Sequence, residues 1–245
     1  MRVSRFYINR SLHVDEDIHL EGPLAHYIRT VLRLKPGDPL IMFNGKGGEF
    51  TALVSQTSRS DVVIHTGEFF GINRQSSLAV ETGLSLIKRD AMDLVIQKST
   101  ELNARKIQPL ISANTSVNTN GLPRKLGHWQ QISHGACEQC GLNLPPDIGP
   151  VVAFPEWVKT VDADLKLIAN PLAEHSLRDS RQGIQVDPRS IAIAIGPEGG
   201  FTQDELSMAG ANGFISISLG PRTLRTETAA ITLLSLVQSR WGDLH

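Results

Sequence analysis

The sequence lacks the features that mark secreted, membrane or disulfide-stabilised proteins. It has two cysteines in 245 residues, which fits a reducing compartment better than a disulfide scaffold. The segment Met1–Tyr7 has no apolar stretch of the secretory type. No apolar run approaches the ~20 residues of a membrane-spanning helix. We therefore expect a cytoplasmic globular protein that is not associated with a membrane.

An excess of positive charge is also missing. The 24 Lys and Arg residues are balanced by 25 Asp and Glu residues, which gives a formal net charge of −1. A site for nucleic acid would therefore have to be a local basic patch. The glycine-rich segment Gly196–Gly200 is not followed by lysine, so it is not a phosphate-binding P-loop. This disfavours a nucleotide hydrolase.

Residues 1–72 are predicted to form a small β-rich domain with one helix. Strands are predicted over 39–43, 49–54 and 61–65, with a tight turn between the first two. A helix is predicted between Gly22 and Leu34, because Pro23 suits a first turn and apolar residues recur on one face. The turn-like segment 70–76 is the predicted linker.

Residues 73–245 are predicted to form an α/β domain. Strand-like and helical segments alternate, which indicates a mainly parallel sheet covered on both faces. Thr202 and Glu205 form a predicted capping box for one of the helices. Ligands of such sheets bind beyond the carboxyl ends of the strands. The loops after Asn170, Ile195 and Leu219 are therefore the candidate binding site.

Two of these loops contain many glycine and polar residues. Ile195–Phe201 reads IGPEGGF and follows an apolar strand; its glycines would let the backbone approach a ligand closely, although a tight turn alone explains this loop equally well. Leu219–Ala230 reads LGPRTLRTETAA and has more polar groups than one helix cap needs. Two such loops at neighbouring strand ends predict a small-molecule site.

These two loops resemble the C-terminal motifs of the RsmE family, the 16S ribosomal RNA uridine-N3 methyltransferases of the SPOUT superfamily. Further segments agree in the same order, namely Arg5–Tyr7, His26–Arg33, Lys98–Leu102 and Ala136–Gly141. The resemblance implies a PUA-like β-barrel RNA-recognition domain over 1–72 and a trefoil-knot methyltransferase domain over 73–245. It implies a soluble enzyme that acts on 16S ribosomal RNA of the small ribosomal subunit.

The resemblance also implies S-adenosylmethionine as the cofactor and no metal. The family's cofactor contacts, largely through backbone, correspond to Asn170, Pro171, Leu172, Gly196, Gly199, Gly200, Leu219, Gly220, Leu224 and Thr226.

Uridine N3 must lose a proton before it can accept a methyl group, so a cation or a base is expected beside it. Arg225 is the first candidate, as a cation that stabilises the developing anion. Glu198 is the second, as a proton acceptor. Glu227 is the third, because an acidic residue at this place also favours a helix N-terminus. All three could instead be structural pairs.

A basic stripe in the N-terminal domain is the candidate RNA contact. His26, Arg29 and Arg33 recur at helical spacing, and Arg2 and Arg5 are near them in the sequence. A solvated helix face is the alternative, but a PUA-like domain favours contact with RNA phosphates.

His134, Cys137 and Cys140 have a spacing like that of metal ligands, but on a helix they span too wide an arc for one tetrahedral site. Packing thiols are the expected role for both cysteines.

A homodimer joined through the C-terminal domain is expected from the resemblance and from the apolar residues Leu233, Leu234, Leu236 and Val237. Two other functions remain open: ribose 2′-O-methylation by the same fold, and a non-catalytic RNA-binding factor in ribosome assembly.

Overall fold

The computed structural model describes residues 3–117, 121–177 and 187–245, and the chain divides into two compact units. The first unit contains Met1–Gln75 together with Cys137–Pro145, and the second contains Ser76–Ala136 and Pro146–His245. The first unit is thus assembled from two separate stretches of sequence, whereas the sequence alone predicts one division after residue 72.

The first unit is built on a five-stranded sheet with the order β1-β3-β4-β5-β2. Strands β1 and β3 are parallel, and the other neighbours are antiparallel. One face of the sheet carries the apolar core, which includes Phe6, Ile18, Leu40 and Ile64. The strands are β1 (Ser4–Tyr7), β2 (Asp17–Leu20), β3 (Pro39–Phe43), β4 (Glu49–Thr57) and β5 (Val62–Phe70).

The predicted helix from Gly22 to Leu34 is wrong in its second half. The α-helical part, α1, covers Gly22–His26, and a π-helical turn follows over Tyr27–Val31. The wider turn keeps Ile28 in the core and leaves Leu32 and Leu34 packed against it. Arg33 follows the turn with φ 56°. His26, Arg29 and Arg33 therefore do not form one stripe at α-helical spacing, as the sequence pattern predicted.

The second unit contains a seven-stranded parallel sheet, which confirms the predicted α/β class. The order is β12-β10-β11-β6-β7-β8, and β9 also pairs with β7. The strands are β6 (Ala79–Ser85), β7 (Lys106–Ile111), β8 (Asp147–Ile148), β9 (Val152–Ala153), β10 (Leu165–Ala169), β11 (Ser190–Ile195) and β12 (Phe214–Ile217). The helices are α2 (Arg89–Glu101), α3 (Leu122–Cys140), α4 (Phe154–Thr160), α5 (Gln203–Ala211) and α6 (Thr226–Trp241).

Separate apolar clusters in this unit pack the sheet on both of its faces. One joins α2 and α6 to residues such as Val80, Ile193 and Ile195. The other joins α4 and α5 to Ala192, Ala194 and Phe214. Because successive residues of β11 point to opposite faces, this alternation confirms that both faces are covered. The helix α4 was not predicted from the sequence.

The last helix uses most of its apolar residues inside the chain. Leu233, Leu234 and Val237 are buried in the core shared with α2, and only Leu236 of the four is exposed, at 43%. The abundance of apolar residues in α6 is therefore explained by packing within one chain. Among the described residues, no helix is both long and apolar enough to cross a membrane.

The strand order determines which loops meet. Strands β12, β10 and β11 are neighbours and parallel, so the loops that follow them leave the same edge of the sheet. The predicted capping box is confirmed, with Thr202 and Glu205 bonding reciprocally at the start of α5. The predicted knot involves the connection between β10 and β11, of which residues 178–186 lie outside the described part of the chain.

Candidate active site at the strand ends

A cleft of about 580 Å³ opens where the loops after β10, β11 and β12 meet. We call it the strand-end cleft. The three loops that the sequence analysis selected supply most of its lining. Of the predicted cofactor residues, the structure brings together Asn170, Pro171, Gly196, Gly200, Leu219, Gly220, Leu224 and Thr226.

Gly200 and Gly220 give the strand-end cleft a lining of bare backbone. Their φ angles are +68° and +112°, a conformation that L side chains rarely adopt. A Cβ at either position would meet no heavy atom within 4 Å, so the space beside each is open. Gly196 differs, because its Cβ would lie 3.2 Å from the Phe201 ring. The absence of a side chain at Gly196 thus lets the Phe201 ring pack closely against the start of the same loop.

Leu172 and Gly199 do not line the strand-end cleft. The Leu172 side chain is 90% exposed, and its backbone N–H donates to Asn170 Oδ1 at 3.0 Å. A Cβ on Gly199 would point at the Asn114 side chain, 3.1 Å from its Cβ. A larger side chain at Gly199 would therefore disturb the loop's support before it reached a ligand.

The three candidate catalytic residues, Glu198, Arg225 and Glu227, all line the strand-end cleft. Glu198 and Arg225 are exposed, and Glu227 is half-buried in the first turn of α6. In the described ranges, none of these side chains has a hydrogen bond or ion pair with another group. These three charged groups therefore do not stabilise the fold by pairing with other side chains, which argues against the alternative that they are structural ion pairs.

Hydrogen bonds from Asn114, a residue after β7 that the sequence did not single out, hold the β11–α5 loop in place. Asn114 Nδ2 donates to the carbonyl oxygens of Gly199 at 3.1 Å and Gly200 at 3.0 Å. Beside it, the Ala113 N–H donates to Glu205 Oε1 at 2.8 Å. The segment after β7 thus fixes both the loop and the start of α5. The only sequence signal is that an amide side chain follows the carboxyl end of a strand.

The loop after β10 is tied to β12. The Asn170 N–H donates to Ile217 O at 2.9 Å, and Asn170 Nδ2 donates to Ser216 Oγ at 3.1 Å. Asn170 therefore orders the loop as well as lining the strand-end cleft. Lys88 and Ala91, at the start of α2, complete the lining. Their position after β6, another parallel strand, is the signal that could have identified them.

Arg5 has a structural role in the first unit instead of the predicted contact with RNA. Its side chain is 7% exposed, and Nη1 lies 2.5 Å from Glu49 Oε2. Nη2 donates to Asn143 Oδ1 at 2.5 Å and to Gly141 O at 3.3 Å. These bonds leave the guanidinium unavailable to a phosphate.

The Glu49 carboxylate is the centre of this buried cluster. Arg74 Nη1 lies 2.8 Å from Glu49 Oε2, so two guanidinium groups share one carboxylate. Burial alone would raise the pKa of Glu49. Hydrogen bonds from Arg74, Arg5 and Asn143 and the charge of Arg5 outweigh that effect and lower the pKa to about 2.

The other basic residues that were predicted to contact RNA differ in how far their side chains are exposed to solvent. Arg33 and His26 are exposed, and His26 Nδ1 lies 3.4 Å from Thr30 Oγ1. Arg29 is half-buried and donates to the carbonyl oxygens of Ser58 and Arg59. Arg2 lies outside the described residues.

Cys137 is fully buried against Phe43 and Leu142, which confirms a packing role for this thiol. Burial is the main cause that raises the pKa of Cys137 to about 12. At neutral pH the side chain is therefore a protonated thiol, which is a poor nucleophile.

Two protein-family models match the chain, one for each of its two predicted domains. The model of an RNA methyltransferase domain matches residues 74–238, and that of an RNA methyltransferase PUA domain matches residues 20–66. Relatives named ribosomal RNA small subunit methyltransferase E include one from Buchnera aphidicola subsp. Schizaphis graminum, 33% identical over 99% of this chain and 98% of its own length. Another is from Rickettsia conorii, 34% identical over 97% of this chain and 96% of its own.

Solved structures agree over the full length. A protein from Legionella pneumophila, solved in complex with the bound cofactor SAM, has a TM-score of 0.93, with 36% identity and full coverage of both chains. Ribosomal RNA small subunit methyltransferase E from Neisseria gonorrhoeae, bound to S-adenosyl methionine, has a TM-score of 0.89, with 31% identity and full coverage. The fold is therefore that of a SPOUT methyltransferase preceded by a PUA domain, and the chain belongs to the RsmE family of RNA methyltransferases.

Proposed function

We propose that this protein transfers the methyl group of S-adenosylmethionine to N3 of a uridine in 16S ribosomal RNA. The observation that carries the proposal is the strand-end cleft, which combines an open glycine backbone with uncommitted charged side chains in a chain of this family. The structures from Legionella pneumophila and Neisseria gonorrhoeae, whose folds match over the whole chain, hold S-adenosylmethionine.

The residues of the strand-end cleft fit this cofactor. Gly200 and Gly220 leave open space where a Cβ would stand, so backbone N–H and carbonyl groups can approach a polar ligand closely. Leu219 and Leu224 offer apolar contacts, and Asn170 adds a polar side chain at the rim. When bound, S-adenosylmethionine supplies an electrophilic methyl group on a sulfonium sulfur.

The protein's own charged groups would assist the target base. Arg225 would stabilise negative charge as it develops on the uracil ring, since a cation placed beside the reacting base interacts favourably with that charge. Glu198 would accept the N3 proton, directly or through water. Glu227 has a weaker claim, because an acidic residue in the first turn also stabilises α6.

Analysis of ribosomal RNA nucleosides tests the proposal. In a strain that lacks the protein, mass spectrometry of 16S ribosomal RNA should show loss of one N3-methyluridine, which the wild-type gene restores. Loss of a 2′-O-methylated nucleoside instead would identify the ribose reaction. Unchanged nucleosides, together with a defect in subunit assembly, would identify a non-catalytic factor.

We further propose that the enzyme works in the cytoplasm as a homodimer joined through its C-terminal domain. The family resemblance supports the dimer, and the exposed apolar side chains Leu94, Ile215 and Leu236 offer contact area on the second unit. Sedimentation at micromolar concentration should give twice the mass of one chain, and a monomer would contradict the dimer.

A further inference from the structure

A second cavity, of about 750 Å³, lies beside the strand-end cleft in the same unit. The first turn of α2 separates the two. Lys88 and Ala91 line the strand-end cleft, whereas Arg89 and Met92 line the second cavity. Residues of the same first turn of α2 therefore line both cavities.

The walls of the second cavity are apolar. Leu86, Ile87, Met92 and Trp129 line it, and each is less than 5% exposed because it also belongs to the core. Val117 forms a further part of the lining and is only partly buried. A flat ring with apolar faces, such as a nucleobase, would be accommodated by walls of this kind.

The rim of the second cavity is cationic. Arg89, Arg124 and Lys125 line it, and none of its described lining residues is acidic. The Arg89 side chain is 78% exposed, and the nearest carboxylate oxygen, Asp93 Oδ2, is 3.9 Å from its Nε. The same oxygen lies 2.8 Å from His128 Nε2, so Arg89 and His128 share one carboxylate, which is not part of the described lining.

Helix stability accounts in part for Arg89, which has an i,i+4 ion pair with Asp93, but not for the cations of α3. Arg124 and Lys125 lie near the start of α3, which has no acidic residue in its first turn, and Arg89 is the first residue of α2. Positive side chains near a helix N-terminus interact unfavourably with the helix dipole. The position of Arg124, which is exposed, is therefore better explained by an anionic ligand.

We propose that the second cavity receives a nucleotide of the RNA strand adjacent to the target uridine. Its base would enter between the apolar walls, and its phosphate would lie against Arg89, Arg124 and Lys125. This inference rests on the proposed function, because it assigns the neighbouring strand-end cleft to the target. A second copy of the chain is a poorer occupant, since a symmetric contact through this rim would bring like charges together.

The charge of the rim is tested with the full-length double variant Arg89→Gln/Arg124→Gln. The matched control is Lys159→Gln/Arg189→Gln, which neutralises two exposed cations of the same unit that line neither cavity. Small ribosomal subunits from a strain lacking the enzyme serve as the RNA probe. The rim variant should raise KM for subunits about tenfold and lower the log–log salt slope of binding by about two. The control should do neither.

The shape of the cavity is tested with Val117→Phe, which fills it without changing charge, against Val117→Ala, which enlarges it. The Phe variant should raise KM for subunits and leave the salt slope unchanged, and the Ala variant should stay near wild type. Both should bind S-adenosylmethionine normally by calorimetry, and thermal melting should show that both are folded.

Wild-type KM and salt slope in the rim variant would overturn the inference. So would a change in sedimentation of the rim or Val117 variants with unaltered RNA binding, because it would show that a second copy covers the cavity. Wild-type protein that binds subunits with the expected salt slope but transfers no methyl group would refute the proposed function, and the salt slope of the rim variant would then still show whether the second cavity binds RNA.

Discussion

Charged side chains are used in opposite ways in the two units. In the first, Arg5 and Glu49 are each 7% exposed and are bound to one another. In the second, Glu198 and Arg225 are exposed at the edge of the strand-end cleft and have no side-chain partner among the described residues. A buried charge that is paired with an opposite charge is committed to the fold, whereas an unpaired charge at a cleft is available to a ligand.

The largest effect is expected from removal of Arg225, the unpaired cation of the strand-end cleft. Arg225→Ala should lower the single-turnover rate of methyl transfer by about 100-fold or more, because the lost interaction forms with charge that develops in the transition state. The affinity for S-adenosylmethionine should change little, since the proposed cofactor contacts are made largely by the backbone of other residues of the cleft. Rapid-quench assays on purified small subunits and calorimetry measure the two effects.

Arg222→Ala is the matched control, since Arg222 lines the same cleft three residues earlier. Its rate should fall much less. A near-normal rate in Arg225→Ala would remove this residue from the chemistry and leave Glu198 as the first candidate.

The second test breaks the paired cluster. Glu49→Gln should lower the free energy of unfolding by about 3 kcal/mol at pH 7, because it leaves two guanidinium groups without their shared carboxylate. Glu16→Gln, which removes the carboxylate of a more exposed pair with Arg10, should cost no more than ~1 kcal/mol. Denaturant titration followed by circular dichroism measures both losses.

The same cluster predicts a dependence on pH. The folded-state pKa of Glu49 is lowered from 4.5 to about 2, so its contribution is fully present above pH 4.5 and is lost as pH falls toward 2. The stability difference between wild type and Glu49→Gln should therefore shrink across that window. A constant difference down to pH 2 would contradict the role assigned to this carboxylate.

Local sequence was sufficient to predict much of the second unit. The alternation of strands and helices determines the parallel sheet, and the capping box at Thr202 is a contact between residues three apart. The strand-end loops follow from the general rule for ligand sites in parallel sheets. These features depend on neighbours in the sequence or on topology, so they can be identified before any contact is known.

The predictions that were wrong concern residues whose surroundings are formed by parts of the chain far away in the sequence. Arg5 belongs to an apparently basic segment, but its partners Glu49 and Asn143 are 44 and 138 residues away. The direction that Gly199 faces depends on Asn114, 85 residues earlier. The π-helical turn after α1 has a local sequence compatible with an ordinary helix, and it places Ile28 in the first core with Leu34 packed against it.

A further prediction concerns the hydrogen bonds that support the β11–α5 loop of the cleft. Asn114→Asp removes the N–H groups that bond to Gly199 and Gly200 and places a carboxylate beside two carbonyl oxygens. We expect about tenfold weaker binding of S-adenosylmethionine, with KM for the RNA substrate unchanged. Asn212→Asp is the control, because its amide likewise donates to a backbone carbonyl, that of Met208, away from the cleft. Equal losses in both variants would indicate general destabilisation.

The smallest expected effect compares two arginines of the first unit. Arg33 is exposed, whereas Arg29 donates to the carbonyl oxygens of Ser58 and Arg59. If this surface contacts RNA phosphates, Arg33→Gln should lower the log–log salt slope of subunit binding by about one, the loss of a single phosphate contact. Arg29→Gln should change the slope by less, because its guanidinium is already committed within the fold, and should instead lower the melting temperature. Filter binding across a salt series and thermal melts separate the two outcomes. A wild-type slope in both variants would mean that the face around the π-helical turn is only solvated, and that RNA is held mainly by the second unit, where Arg89 and Arg124 lie.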